Sequence, residues 1–281
     1  LSPMECMLKS LLWWSDAHNC DVDHFWYSKY ERDLVDKKLS NESFRRLNTK
    51  TILLHIRTGN YKHSDGIDPM QRIRSVDPST YSSLIKVFKS GGYAVTHVTA
   101  DDPPYIFGEC NNLVVNSVIR EAVQWELYSQ ASFIVGTSSG VIALNALCEH
   151  NAFLTNFSHI PRILLSNLHL LAMKRVRIKE NCEFKSLSHF VSCYFNHWLI
   201  LNQDCLADYC EIDDLSEEEL SCAAEEYLII TNGHKANYTL EEVLRRANVN
   251  KSQVPFPNWN LFSATAKDLL KILITIKKSD D

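Results

Sequence analysis

Between residues 51 and 156 the chain alternates short apolar, β-branched runs with amphipathic stretches, and that alternation limits the folds available to it. Thr51 to Ile56 (TILLHI) is a run of the kind buried on both faces of a parallel sheet. A polar loop follows, and Pro78 to Lys89 reads as a helix with Leu84, Ile85, Val87 and Phe88 available for burial. Gly91-Gly92 ends it as a left-handed cap would. Tyr93 to Thr99 predicts the next strand, Leu113 to Val115 a short third, and Val118 to Tyr128 a helix. Ser132 to Val135 predicts a fourth strand, Val141 to Cys148 a helix and Ala152 to Thr155 a fifth strand. Repeated strand-helix-strand units close by right-handed crossovers, so the expected fold is α/β with a doubly wound, Rossmann-like parallel sheet. Ligands in such sheets sit beyond the carboxyl ends of the strands, which directs attention to loops 57–77, 100–112 and 136–140.

The flanks read differently. Residues 1–50 carry helix-like patches at Met4 to Trp14 and Phe25 to Leu39, with Trp13, Trp14, Phe25, Trp26, Tyr27 and Tyr30 expected to pack on a helix face. After Pro161 the region 161–281 is expected to be mainly helical. Ser216 with Glu219 and Thr239 with Glu242 form S/T-x-x-E capping boxes that mark helix starts near 217 and 240. Between them Tyr227 to Thr231 (YLIIT) suggests a short strand, and Asn258 to Lys277 an apolar helix. The domain reading is a helical N-terminal segment 1–50, a Rossmann-like domain 51–160 and a mainly helical C-terminal region 161–281.

Composition removes several classes. A formal charge of -5 lacks the basic excess that neutralises a nucleic-acid backbone, so no nucleic-acid partner is expected. No apolar run approaches the roughly 20 residues of a membrane span, and the first residues lack a signal-peptide pattern. The nine cysteines are odd in number, scattered, and without C-x-x-C, which favours free thiols in a reducing compartment and argues against a structural metal. A cytoplasmic location, or one peripheral to a membrane, is expected. N-x-S/T sequons at Asn41, Asn156, Asn237 and Asn250 are too short a pattern to alter that.

Three constellations could carry chemistry. In His55-Ile-Arg57-Thr-Gly-Asn-Tyr61, an arginine after the first strand presents a five-donor fork to the ligand crevice, suited to a diphosphate; the bland alternative pairs it with a nearby carboxylate. Arg72 and Arg74 offer a second cationic contact, whereas Asp77 with Ser79 and Thr80 reads as a helix start. Asp101 and Asp102, straight after the second strand, can accept ribose or sugar hydroxyls, or simply form an Asp-Pro turn. Gly136-Thr137-Ser138-Ser139-Gly140 joins a strand to a helix, so its N–H groups and hydroxyls form a phosphate cradle. The same residues match G-x-S-x-G, the nucleophile elbow of serine hydrolases. That rival needs an acid and then a histidine downstream, and Asp204, Asp208 or Asp213 with His234 keeps the order, although no HGGG-type segment lies upstream. His97, His150, His159, His169, His189 and His197 lie in or beside apolar segments and are expected to be packed histidines.

Taken in order, these segments resemble the donor-binding half of GT-B glycosyltransferases of the fucosyltransferase-like kind. His55-Ile-Arg57 is similar to their H-x-R motif, Ala100-Asp101-Asp102-Pro103 to their T-D-D-P segment, and Glu126 to Val135 followed by Thr137-Ser-Ser139 to their last motif. A second resemblance, to a group of bacterial and viral surface-glycan glycosyltransferases, rests on Arg74-Ser-Val-Asp77-Pro-Ser-Thr80-Tyr81 and on the Ser139-Gly140 turn. The match covers roughly residues 51–160. Thr58 and Asn60 depart from the H-x-R-R-x-D of fucosyltransferases, and Gln124 stands where they carry a carboxylate, with Glu126 two residues on.

The resemblance implies transfer of a sugar from a nucleotide diphosphate to a glycan, lipid-linked or protein acceptor, with no bound metal or other cofactor. Arg57 and His55 would be the catalytic residues. Tyr61, Arg74, Asp101, Asp102, Glu126, Thr137, Ser138, Ser139 and Gly140 would bind the donor. The alternatives are a non-catalytic nucleotide- or sugar-binding module of the same fold, and a serine esterase using Ser138. A GT-B enzyme needs two Rossmann-like domains and one set of alternating strands is visible. With Leu at position 1, the sequence predicts a donor-binding domain cut from a longer protein that carries an N-terminal acceptor domain, or one completed by the helices after 161.

Overall fold

The computed structural model describes residues 50–58, 74–100, 105–115, 127–128, 130–137, 151–157, 170–183, 206–232, 238–239 and 261–262. The strands are β1 (Thr51–His55), β2 (Ala94–Ala100), β3 (Asn111–Val115), β4 (Phe133–Gly136), β5 (Ala152–Phe157), β6 (Leu170–Met173), β7 (Arg175–Ile178), β8 (Cys210–Asp213), β9 (Tyr238–Thr239) and β10 (Leu261–Phe262). The helices are α1 (Ser82–Ser90), α2 (Leu206–Tyr209) and α3 (Glu217–Thr231), with a 3-10 turn at Pro78–Tyr81 leading into α1.

Eight strands form one sheet in the order β3-β2-β1-β4-β5-β6-β10-β9. Strands β1 to β6 are parallel throughout, β10 adds parallel to β6, and β9 closes the edge antiparallel. From β1 in the interior of the sheet the described strands wind outward through β2 to β3, return to the other side of β1 at β4 and wind outward again. This is the order of a Rossmann-like α/β sheet, and strand order reverses between β1 and β4, the place where such sheets generally take ligands.

The core explains why these runs become strands. Alternate residues Ile52, Leu54, Val95, Phe133, Val135, Phe153, Leu170 and Ala172 share one face and one cluster with Tyr81, Leu84, Ile85 and Phe88 before and within α1, and with Leu220, Ala223, Ala224, Tyr227 and Ile230 of α3. Their neighbours Leu53, Ile134, Leu154 and Leu171 are equally buried, so β1, β4, β5 and β6 are apolar on both faces. Aromatic rings join the layers: Phe153 stacks on Tyr227 with centroids 5.1 Å apart, and Phe133 meets Tyr227 at 4.9 Å and Phe88 at 5.4 Å. Each large apolar side chain buried here contributes about 1.5–3 kcal/mol.

Local signals set the helix ends. Asp77 Oδ1 accepts the Ser79 N–H at 2.9 Å, and Pro78 opens the turn with a fixed φ and no N–H to satisfy. At the other end Tyr93 N–H donates to Phe88 O and Gly92 N–H to Lys89 O, both at 3.0 Å, with Gly92 at φ +83°. That is a Schellman cap, completed by the edge-on contact between Phe88 and Tyr93. Ser216 Oγ accepts from Glu219 N–H while a Glu219 carboxylate oxygen accepts from Ser216 N–H, so the expected capping box starts α3 at 217.

Three readings of the sequence change. Tyr227 to Thr231 belongs to α3, not to a strand, because the box at 216 nucleates a helix whose residues 220, 223, 224, 227 and 230 all reach the core. Leu261 and Phe262, expected within a helix, pair with Leu170 and Leu171 as β10. The described part of 161–281 holds five strands besides α2 and α3, and β6 extends the same sheet beyond residue 160. The expected helices at 118–126, 141–148 and near 240, and the segment 1–49, lie outside the described residues. No described helix is long and apolar enough to cross a membrane. The described cysteines, Cys110, Cys182, Cys210 and Cys222, are free thiols.

Candidate functional site

At the β1/β4 carboxyl edge two short segments leave the sheet together. Thr137, just past β4, donates its N–H to His55 O at 3.1 Å, and Arg57 N–H donates to Thr137 Oγ1 at 2.8 Å. The two strands thus stay joined beyond their last paired residues, His55 and Gly136. Ile56 turns into the core while Arg57 is partly exposed, so alternation brings the arginine out at the sheet's carboxyl edge on the second residue past the strand. Thr137 is fully buried. Its N–H is committed to the sheet, so its contribution to a ligand reduces to the hydroxyl proton.

The returning segment lies alongside. Val76 N–H donates to Arg57 O at 3.0 Å, and Arg74, two residues earlier, is 9% exposed. The structure therefore brings together three of the residues singled out from sequence, His55, Arg57 and Thr137, and puts the buried Arg74 two residues before the bond that ties Val76 to Arg57. Tyr61, Asp101, Asp102, Glu126, Ser138, Ser139 and Gly140 lie outside the described residues, as do Arg72 and His234.

Beneath this edge runs a polar network that sequence reasoning missed. Tyr81 Oη and Thr155 Oγ1 are 2.9 Å apart, Thr155 Oγ1 donates to Gly136 O at 3.3 Å, and Asn156 Nδ2 donates to Tyr81 Oη at 3.1 Å. With the single Thr155 proton spent on Gly136, Tyr81 is the donor to Thr155, and the chain of bonds runs in one direction from Asn156 to β4. Burial pushes the Tyr81 phenol far above its ordinary range, so it stays a donor. Asn156 sits at a bulge with φ +50°, and its Oδ1 accepts the Leu215 N–H at 2.7 Å. The sequon at 156 is therefore closed to modification in the folded protein, since Asn156 is fully buried and bonded at both ends of its amide.

Lys174 and Asp214 extend the network, with Nζ 2.6 Å from Oδ1. Burial lowers the Lys174 ammonium from the ordinary lysine range, and the Asp214 charge and hydrogen bond oppose the shift. Nothing in spacing ties a lysine at 174 to an aspartate 40 positions later. The available signal was a lone lysine directly after the apolar run Leu170 to Met173, where an edge residue of a buried strand would be expected to stay apolar.

His97 behaves as a packed histidine, with Nδ1 3.2 Å from Asn112 Oδ1 and its ring edge-on to Phe107 at 4.9 Å. Burial lowers its pKa below the ordinary 6.5, and the Asn112 bond acts in the opposite direction. The folded state thus binds this proton less readily than the unfolded chain, so stability falls as pH drops below about 6.5. Urea midpoints measured across pH 7 to 5 should show this loss, and His97→Gln should flatten it.

Among the described residues no group of three or more His, Cys, Asp and Glu could hold a metal ion. A groove of about 450 Å³ lies between α1 and α3, lined by Ser83, Lys86, Val87, Ser90, Gly91, Ser221, Glu225 and Leu228. It is open, belongs to the outer helical layer and includes no residue of the carboxyl edge, so volume and chemistry do not coincide. The edge, with Arg57 and the reversal of strand order, is the better candidate. No protein-family model, curated protein or solved structure matches the chain.

Proposed function

We propose that the chain binds a nucleotide-diphosphate sugar at the β1/β4 carboxyl edge and transfers the sugar to a glycan, lipid-linked or protein acceptor, as the donor-binding half of a GT-B glycosyltransferase. The observation that carries this reading is Arg57 at the point where strand order reverses, its N–H bonded to Thr137 Oγ1 just past β4. In transfer, the acceptor oxygen bonds to the anomeric carbon while the bond from that carbon to the β-phosphate oxygen breaks. The electron pair stays on the diphosphate. A guanidinium fixed in advance stabilises that growing charge without reorganising at the moment of reaction. Arg74 adds positive charge from the neighbouring segment, and Ser138, Ser139 and Gly140 complete the cradle. His55, Tyr61, Asp101, Asp102 and Glu126 orient the ribose, base and sugar. The acceptor proton goes to a base in the loop after Tyr61, with His63, Asp65 and Asp68 as candidates.

The test is turnover of the best-bound donor from a panel of GDP-, UDP-, dTDP- and CMP-sugars. Slow release of free sugar, stopped by Arg57→Ala and weakened but not abolished by Ser138→Ala, which removes one cradle hydroxyl and keeps the backbone N–H, is expected. Binding with no release in any condition would instead identify a binding module, and ester cleavage stopped by Ser138→Ala would identify a hydrolase.

A further inference from the structure

Residues 75–77 are fastened by groups far away in sequence. Val76 N–H donates to Arg57 O at 3.0 Å, Asp77 N–H to Asp214 Oδ2 at 2.8 Å, and Ser75 O accepts from Lys174 Nζ at 2.7 Å. Lys174 and Asp214 join these anchors through their own 2.6 Å pair, with the lysine side chain 3% exposed and the aspartate 26%. Asp214 is itself fixed: its carbonyl accepts Nε and Nη2 of Arg175 at 3.1 and 2.8 Å, and Leu215 N–H is held by Asn156.

As a stability device the pair is a poor choice. A buried ion pair rarely outperforms apolar residues of similar size, and an apolar residue after Met173 would simply lengthen the buried face of β6. The ammonium supplies something an apolar residue cannot. It grips the Ser75 carbonyl and the Asp214 carboxylate together, which sets the height of 75–77 against the ends of β5 and β6. Arg74 directly precedes that segment, whose middle residue, Val76, is bonded to Arg57.

We infer that Lys174 and Asp214 are positioning residues that clamp segment 75–77 and so hold Arg57 and Arg74 in the geometry a diphosphate requires. The inference rests on the diphosphate reading above, and neither residue is assigned a contact with the ligand. Its test is calorimetric titration of the whole chain with inorganic pyrophosphate, alongside amide hydrogen exchange. Lys174→Met should weaken pyrophosphate binding by roughly tenfold to a hundredfold, the usual scale for losing a supporting contact. The Val76 and Asp77 amides should exchange faster while those of β1 and β4 keep their protection. Should Lys174→Met fail to fold, Asp214→Asn keeps the lysine charge and an acceptor for Asp77, and should weaken binding in the same direction by less. Lys174→Arg, which retains charge and donors, should recover part of the affinity. A folded variant with faster exchange at 76 and 77 but wild-type pyrophosphate affinity overturns the clamp and leaves the diphosphate reading standing. Absence of pyrophosphate binding by the wild-type chain overturns the diphosphate reading, and the clamp with it.

Discussion

Arg57→Ala should reduce sugar release from the bound donor by roughly 100- to 1000-fold, the scale on which a preorganised donor to a developing oxyanion is lost. The fold should survive, because the structure uses this residue through its backbone: its N–H bonds Thr137 Oγ1 and its carbonyl accepts from Val76. Alanine retains both. Arg57 is partly exposed and stands outside the hydrophobic cluster, although its Nε is buried, so a stability change of about 1 kcal/mol is expected. Arg57→Lys keeps the charge but not the planar fork and should fall between the two. Turnover of a labelled donor, read beside the urea midpoint, separates a catalytic loss from unfolding.

The largest effect on stability is expected at Phe153. Its ring is fully buried between α1 and α3, 6.2 Å from Phe88 and stacked at 5.1 Å on Tyr227 with 13° between the planes. Phe153→Ala removes the transfer energy and leaves a cavity under two helices, costing about 3–5 kcal/mol against a typical total of about 5–15. Phe153→Leu should cost less, since most of the volume remains. A companion variant tests the same contact from the other side. The Tyr227 hydroxyl is buried without a hydrogen-bond partner among the described residues, and burial raises its pKa far above the ordinary range. Tyr227→Phe keeps the stack and deletes the unsatisfied group, so it should be neutral or stabilising by up to about 1 kcal/mol. A urea series on the three variants checks the order, and a marked destabilisation by Tyr227→Phe would contradict this packing.

Most of the sheet was legible because its strands are buried on both faces. TILLHI can hardly be solvated anywhere, FIVG at 133–136 carries the same apolar continuity and AFLTNF at 152–157 is buried throughout, whereas AVTHVTA at 94–100 reads as a strand from its β-branched residues. Local stereochemistry was equally readable at Asp77, Gly92 and Ser216, where a cap depends on nearby residues only. What escaped is non-local. A four-residue run such as LLAM gives period no chance to declare itself, and β6 forms because β5 is there to pair with it. YLIIT favours strand by β-branching, yet the helix already running from Ser216 carries it through. Of the candidate site, the arginine after β1 could be seen because position in a parallel sheet dictates where ligands approach. The support below it could not: Tyr81, Thr155, Asn156, Lys174 and Asp214 come from separate elements, and only the fold brings them into one network.

The proposed function requires the β1/β4 edge to bind a nucleotide diphosphate through Arg57. Calorimetric titration of the wild-type chain and of Arg57→Ala with GDP, UDP and dTDP tests it most directly. One of the three should bind the wild type, and Arg57→Ala should lose that affinity at an unchanged unfolding midpoint. Binding of equal strength in the two proteins, or no binding of any of the three by the wild type, would contradict it.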